Sequence, residues 1–160
     1  MKIKTDHILY VSDMGKGSRP VFHRAIDEAI KHNAKITYLH VMEPMNSSGE
    51  AMVESYLSKE TLDSIREKGV TSVKETMGKR IDAFFKEELA GVELPHGAPV
   101  QLIRTGKPSA VIVKIAKEIS ADMIVMGTRT HSSIGQILLG STANKVLLHT
   151  DIPVMVVPLK

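Results

Sequence analysis

The chain contains no cysteine among its 160 residues. Disulfide bonds, thiolate catalysis and zinc sites with cysteine ligands are therefore excluded. No apolar run approaches the roughly 18 residues of a membrane span, and the stretch Met1 to His7 lacks the apolar segment of a signal peptide. From these absences we predict a cytoplasmic protein that has no membrane partner.

The sequence also lacks the charge bias that a nucleic-acid partner would require. Lys and Arg number 21 against 18 Asp and Glu, which gives a formal net charge of +3. The basic residues are spread along the chain and form no run, whereas surfaces that bind polyanions usually cluster them. We therefore expect no nucleic-acid partner.

Common catalytic motifs are missing as well. The sequence holds no Gly-x-Ser-x-Gly elbow, no Walker loop that ends in Gly-Lys-Ser/Thr and no His-Glu-x-x-His. The segment Gly15 to Ser18 has two glycines but lacks the third glycine of a dinucleotide fingerprint, so we interpret it as a turn followed by a helix cap. We find no general base placed to activate water, and we predict no catalytic residue and no metal-ligating side chain.

What is present is an alternation of short apolar runs with apolar residues at helical spacing. This alternation predicts an α/β fold, a single doubly wound domain over residues 1–160 with a five-stranded parallel sheet and helices on both faces. The runs are nearly continuous, as buried parallel strands require. The predicted strands are His7 to Ser12, Lys35 to Val41, Val100 to Thr105, Ala121 to Met126 and Ile152 to Val157.

Capping and breaking residues set the predicted helix boundaries. Ser18 is the candidate N-cap of the first helix and Asn33 its left-handed stop. Gly69 and Gly78 weaken the prediction that the long second helix is unbroken, and Pro153 suggests an edge position for the last strand. The other predicted helices run from about Ala51 to Leu89, from Pro108 to Ile119, and around Ala143, Val146 and Leu147.

Three of the predicted strands end at residues that stand out. Asp13 follows the first strand, Val41 closes the second and Gly127 follows the fourth. In doubly wound sheets, ligands bind in the crevice outside the carboxyl ends of the strands. Asp13 also suits a simple turn with Gly15, because its carboxylate can accept from the backbone two residues on.

A long loop of mostly small and polar residues follows the fourth strand, and it enters a helix at Gly140 and Ser141. Unsatisfied N–H groups at a helix amino terminus attract phosphate, and Arg129 and His131 could add positive charge. An ordinary loop with Ser141 as its cap has the same pattern, so both interpretations stay open. His40, between two apolar strand residues, is interpreted as a packed histidine.

Six stretches, spread in order over essentially the whole chain, carry a resemblance: Ile8 to Asp13, Leu39 to Pro44, Gly106 to Pro108, Met123 to Gly127, Leu138 to Ser141, and Pro153 to Val157. Together they resemble the universal stress protein family.

This resemblance implies strand order 3-2-1-4-5 and a bound adenine nucleotide, either ATP, with Mg²⁺ or Mn²⁺, or AMP or a related nucleotide. It implies that Asp13 and Val41 contact adenine and ribose. The glycine motif of the family's ATP-binding branch matches at Gly127 and Gly140 and departs at Thr130. The residues implied to hold the phosphates are Gly127, Gly140, Ser141 and Thr142, with Arg129 and Thr130 as further candidates.

The resemblance implies a stress-response or signalling protein that works as a nucleotide-dependent switch, with at most slow ATP hydrolysis. The alternative is a nucleotide-free dimeric interaction module, for which Thr130 and Ser133 would fill the phosphate space. A third hypothesis is an ATP-dependent ligase or a flavoprotein subunit on a similar fold, of which the ligase is disfavoured because no Ser-Gly-Gly loop follows the first strand. Family members pair through the last strand, so we predict a homodimer through Ile152 to Val157.

Overall fold

The computed structural model describes residues 4–15, 17–44, 58–128 and 139–159. Within these residues strands and helices alternate along the chain, as the hydrophobic pattern predicts. No helix in this part of the chain is both long and apolar enough to cross a bilayer. In order, the elements are β1 His7–Ser12, α1 Ser18–His32, β2 Lys35–Met42, α2 Lys59–Glu88, β3 Val100–Thr105, α3 Pro108–Glu118, β4 Met123–Thr128, α4 Ser141–His149 and β5 Val154–Pro158.

The strands form one parallel sheet in the order β3-β2-β1-β4-β5. The predicted fold class and strand order are confirmed. The chain reverses its direction of travel across the sheet between β3 and β4, which lie on opposite sides of the β2–β1 pair. Such a reversal opens a crevice at the carboxyl ends of the central strands.

Each face of the sheet carries its own hydrophobic core. The face under α1 and α2 is aromatic: the Tyr10 and Tyr38 rings lie 5.2 Å apart edge to face, and Phe22 stacks on Phe85 at 5.8 Å. The face under α3 and α4 is aliphatic. The two cores clamp β1, β2 and β4 from both sides, so the ends of these strands are held rigidly. The aliphatic core includes Leu9, Leu39, Ile112, Ile115, Ile124, Met126 and Val146.

A polar cluster closes the amino-terminal edge of the sheet. The buried His7 ring has both nitrogens within hydrogen-bond distance of a partner: Nδ1 lies 2.9 Å from the Ile119 carbonyl and Nε2 lies 2.8 Å from the Thr37 hydroxyl. The Asp122 carboxylate accepts from the N–H groups of Asp6 and His7 at 2.8 and 2.9 Å. Burial lowers the pKa of His7. The neutral ring therefore donates from Nδ1 and accepts at Nε2.

Two predicted strands begin two residues too early, and the fourth also ends two residues later than predicted, at Thr128, so Gly127 lies within this strand and does not follow it. The fourth strand begins at Met123 instead of Ala121, because Ser120 is left-handed (φ 51°) and the Ala121 N–H still closes the preceding helix on Ala116. The last strand begins at Val154 instead of Ile152, since Pro153 has no N–H and contributes only its carbonyl, 2.9 Å from the Ile124 nitrogen.

The predicted N-cap of the first helix is also wrong, whereas its predicted stop is confirmed. Ser18 is already helical, and the cap position is taken by Gly17 at φ 93° with no side-chain hydrogen bond. This left-handed angle favours glycine. Asn33 ends the helix at φ 54°, and its N–H bonds the Ala29 and Ile30 carbonyls.

Helix α2 runs unbroken through Gly69 and Gly78. Its predicted start at Ala51 lies outside the described residues. Only its carboxyl-terminal half packs on the sheet, through Ile81 and Phe85. The described side chains of the first half are exposed almost throughout, so this half projects beyond the sheet at the carboxyl ends of the strands.

Candidate functional site

A cleft of about 980 Å³ opens at the carboxyl ends of the parallel strands. This volume falls within the range of small-molecule sites. Loops after β1 and β2, the end of β4 and the start of α4 all contribute to its lining. Six sequence-predicted site residues line this one cleft: Asp13, Val41, Gly127, Gly140, Ser141 and Thr142.

Asp13 both forms a local turn and lines the cleft. Its Oδ1 accepts the Gly15 N–H at 2.8 Å, which confirms the turn interpretation. Met14 between them is left-handed at φ 57°, and a side chain at Gly15 would come within 3.0 Å of the same carboxylate oxygen. The turn therefore fixes the orientation of the carboxylate. A carboxylate oxygen has room for more than one donor, so a ligand hydroxyl can share it.

Hydrogen-bonded polar side chains line the cleft beneath the strand ends. His40 is buried, and its Nδ1–H donates to the Ser12 carbonyl at 2.9 Å, which confirms the packed interpretation of this histidine. The Tyr10 hydroxyl donates to the Ser18 carbonyl at 3.2 Å. Burial raises the pKa of Tyr10 and of Tyr38 above the usual tyrosine value. Both phenols therefore stay protonated, and Tyr10, which lines the cleft, adds no negative charge there.

Gly127 has a packing reason to be glycine. A Cβ there would lie 3.1 Å from the Leu159 side chain and 3.2 Å from Val21. Its backbone is not left-handed. The glycine therefore lets α1 and the segment after β5 approach the end of β4 closely, and the same missing side chain leaves the cleft open at this point.

The amino terminus of α4 has a glycine at its cap position. Gly140 is the N-cap at φ −57° and ψ 153°, and it has no side chain that could bond the first turn. The Gly140 carbonyl accepts the Asn144 N–H at 3.0 Å. The N–H groups of the first turn, which include those of Ser141 and Thr142, have no intrahelical acceptor and lie at the positive end of the helix. This end of the cleft suits an anion.

The opposite wall of the cleft comes from α2 and was missed by the sequence analysis. Arg66, Gly69, Val70, Val73 and Met77 all line the cleft. Their spacing of three or four residues places them on one face of the helix. The helical spacing of these residues is visible in the sequence, but the sequence does not indicate that this face of the helix lines a ligand site. Other cleft residues without a sequence prediction include Met126 and Leu159.

Two predicted site residues, Arg129 and Thr130, lie outside the described residues. The same holds for His131 and Ser133, so the hypothesis that Thr130 and Ser133 fill the phosphate space stays a prediction. Within the described ranges, no group of three or more His, Asp and Glu side chains could hold a metal ion.

The described walls differ in character along the cleft. Backbone amides and hydroxyls lie at the α4 end, Asp13 follows the central strand β1, and apolar side chains together with Glu43 lie on the side of β2 and α2. A ligand with an anionic end, hydroxyl groups in the middle and a flat apolar end would match each wall in turn. The apolar end includes Val41, Val70, Val73 and Met77.

Comparison with known proteins identifies the relatives of the chain. The model of the universal stress protein family matches residues 4–158. Universal stress protein A homolog 1 of Coxiella burnetii is 28% identical over 144 residues, which cover 88% of each chain.

Solved structures share the fold. Universal stress protein UspA from Lactobacillus plantarum superimposes with a TM-score of 0.67 at 22% identity, over 98% of this chain and 99% of that chain. A universal stress protein solved in complex with cAMP gives a TM-score of 0.56 at 21% identity, over 98% of this chain and 99% of that one. At these identities the likeness concerns the fold alone.

Proposed function

The chain belongs to the universal stress protein family, and from that premise we propose that it binds an adenine nucleotide, with ATP as the first candidate. The observation that carries the proposal is the convergence of six predicted residues on one cleft. The solved relative in complex with cAMP adds support, because that protein holds an adenine nucleotide on the same fold.

The proposed orientation follows the character of the walls. Asp13 accepts from the ribose hydroxyls, and Val41 packs on the adenine. The phosphates lie against the amides of Ser141 and Thr142, where Gly140 brings no side chain between helix and ligand. Gly127 keeps the passage between ribose and phosphates open. Arg129 and Thr130 stay candidates for the phosphate end.

ATP fits the residues that are described. A triphosphate needs donors and compensating charge, and the α4 amino terminus supplies both a row of N–H groups and a positive dipole end. A bound Mg²⁺ or Mn²⁺ would be held chiefly by the phosphates, as is usual for magnesium nucleotides. The described side chains of the cleft contribute binding and orientation in this proposal.

The biological role we propose is a state switch in stress response or signalling. A nucleotide changes the populations of protein states only as far as it binds them with different affinity. We propose that the chain forms one domain over residues 1–160, acts in the cytoplasm, contacts an unidentified protein partner and hydrolyses ATP slowly at most.

We also propose a homodimer through Ile152 to Val157. β5 is an edge strand, and its hydrogen bonds to β4 use the odd-numbered residues, as the Ile124 N–H to Pro153 carbonyl bond and the Leu159 N–H to Thr128 carbonyl bond indicate. The N–H groups of Val154 and Val156 therefore point to the free edge. A second copy of the strand could pair there.

Calorimetric titration with Mg·ATP tests nucleotide binding. We expect the wild type to bind and the Gly140→Ala, Ser141→Ala double variant to lose about tenfold or more in affinity, since a hydrogen bond to a charged group is lost and a methyl group intrudes. Alanine is compatible with the backbone angles of Gly140. Asn144→Ala is the matched control, because this exposed residue of the same helix does not line the cleft.

Binding by the double variant as tight as that of the wild type would contradict the assignment of the phosphates to α4. A wild type that neither binds Mg·ATP nor carries nucleotide after purification would contradict nucleotide binding altogether. The nucleotide-free interaction module would then be the better description.

A further inference from the structure

The exposed first half of α2 forms a wall of the cleft without packing in either core. Arg66, Gly69, Val70, Val73 and Met77 line the cleft, whereas Ile81 and Phe85 of the same helix are in the aromatic core. In this structure Val70 and Val73 are 37% and 46% exposed. Apolar side chains on a cleft wall are usually covered when the ligand binds.

The position of α2 in the fold decides which end of the ligand it meets. The Asp82 carboxylate accepts from the Gln101 amide at 2.6 Å, and the Cβ position of Gly78 lies 3.5 Å from the same side chain, so α2 stands beside β3. In contrast, α4 packs through Ala143 and Val146 on the aliphatic core beside β4. The sheet order places β2 and β1 between them. The α2 wall is therefore opposite the anion end of the cleft.

We propose that this face of α2 is the base-selecting wall of the site. This inference rests on the proposed function: if the phosphates lie at α4 and the ribose at Asp13, the purine reaches toward β2 and α2. Val70 and Val73 then cover an apolar face of the base. The Arg66 guanidinium stacks on the ring or donates to its acceptor nitrogens.

Arg66 suits this role for two reasons. Among the described residues that line the cleft, it is the sole Lys or Arg, and a planar guanidinium stacks on nucleobases better than an ammonium group does. Its ion pair with Asp63 is long: Nη1 lies 3.6 Å from the carboxylate, with both side chains more than two-fifths exposed. Exposed pairs of this kind contribute little, so loss of this pair costs little.

Gly69 gives the wall space for a ring. A Cβ built there would have no heavy atom within 4 Å outside its own helix and neighbours, and the residue lines the cleft. Glycine is otherwise unfavourable in a helix interior. Its presence between Arg66 and Val70 leaves a shallow depression on the face that we assign to the base.

The test compares two probes, Mg·ATP and inorganic tripolyphosphate, which has the phosphates but no base. We expect Arg66→Ala and Val73→Asn each to weaken Mg·ATP binding about fivefold or more, with tripolyphosphate affinity unchanged. Lys68→Ala removes the same charge from the same half of α2, but this residue does not line the cleft. It is expected to change neither affinity. Arg66 and Val73 are both outside the described cores, so the fold is expected to tolerate these changes.

Each other outcome has a distinct meaning. Unchanged Mg·ATP affinity in both cleft variants would overturn the inference, as would equal losses for Mg·ATP and tripolyphosphate, since Arg66 would then act on the phosphates. If Lys68→Ala weakened Mg·ATP binding as much as Arg66→Ala, the effect would be due to net charge alone, and this result would also overturn the inference. A wild type that binds neither probe would overturn the proposed function itself.

Discussion

Among single residues, His7 has the most definite consequence for solution behaviour. The buried ring joins β1 to β2 through the Thr37 hydroxyl and to the end of α3 through the Ile119 carbonyl. Protonation would turn Nε2 into a donor and add a charge where burial disfavours it. The neutral ring thus stabilises the amino-terminal edge of the sheet.

We predict a pH dependence of stability from His7. Its folded-state pKa is lowered, so the unfolded chain binds the proton more readily. The contribution of His7 is fully present above the unfolded pKa of about 6.5 and is lost as the pH falls below that value toward the lowered folded pKa. The free energy of unfolding, measured with urea between pH 5 and 8, should decrease as the pH is lowered below about 6.5.

The variant His7→Ala separates this effect from the other histidines. It should destabilise the protein at pH 7.5 by about 1–3 kcal/mol, because the buried Thr37 hydroxyl and the half-buried Ile119 carbonyl each lose a hydrogen bond. The difference in unfolding free energy between wild type and variant should shrink as the pH falls. A difference that is constant from pH 5 to 8 would contradict the role given to the neutral ring.

Sequence reasoning found the central residues of the site because their types carry local meaning. Asp13 ends a strand and forms a turn, and Gly140 precedes a helix, so both are visible in a short window of sequence. Gly127 was identified from its position at a strand end and from the glycine motif, but its close packing against Leu159 was not predicted. This contact involves a segment more than thirty residues away. Such long-range contacts have no local signature.

At the scale of elements, α2 consists of two halves with different support. Its second half is held by the aromatic core, whereas the described side chains of its first half are exposed almost throughout. Isolated helices of about 12–15 residues are marginal in water. The sequence predicted the helix but not this division, because Leu62, Ile65 and Val73 look like core positions in the pattern. Ile65 and Val73 are in fact 55% and 46% exposed.

We predict unequal amide exchange along α2. Residues 59–73 should exchange faster than residues 78–88, since only the latter are tied to the core. Gly69→Ala should slow exchange in the first half by up to about fivefold, which corresponds to the roughly 1 kcal/mol preference of alanine in a helix. Nothing lies within 4 Å of the added methyl group to oppose it.

Hydrogen exchange followed by mass spectrometry measures both halves in one experiment. Gly78→Ala is the control, because it changes the same residue type in the supported half and its new Cβ would make only ordinary contact with Gln101. It should leave exchange in residues 59–73 unchanged. Equal protection along the whole helix would contradict the division into two halves.

At the scale of the whole molecule, the two edges of the sheet differ. β3 has α2 beside it, and β5 directs the N–H groups of Val154 and Val156 away from β4. Pro158 lies on the same outward register and has no N–H to offer. The element order and strand order were predictable from the alternating pattern and the family resemblance. Which edge strand is covered by a helix and which has unpaired N–H groups depends on tertiary packing, so it could not be predicted from the sequence.

We predict that the protein sediments as a dimer at micromolar concentration. Val156→Pro removes an outward N–H without removing a bond to β4, so it should shift the equilibrium toward monomer. Met155→Ala is a control that leaves all backbone donors in place. Circular dichroism verifies that both variants remain folded. A wild type that sediments as a monomer over the same concentration range would contradict the dimer through Ile152 to Val157.

The exposed wall of α2 has a consequence for how this protein can evolve. Arg66, Val70 and Val73 touch the cleft but support neither core. Substitutions at these positions can therefore accumulate without passing through ancestors that fail to fold. Asp13 and Gly127 have no such freedom, because one shapes a turn and the other a close contact. Ligand preference can thus diverge between descendants along α2 while the strand ends stay nearly constant.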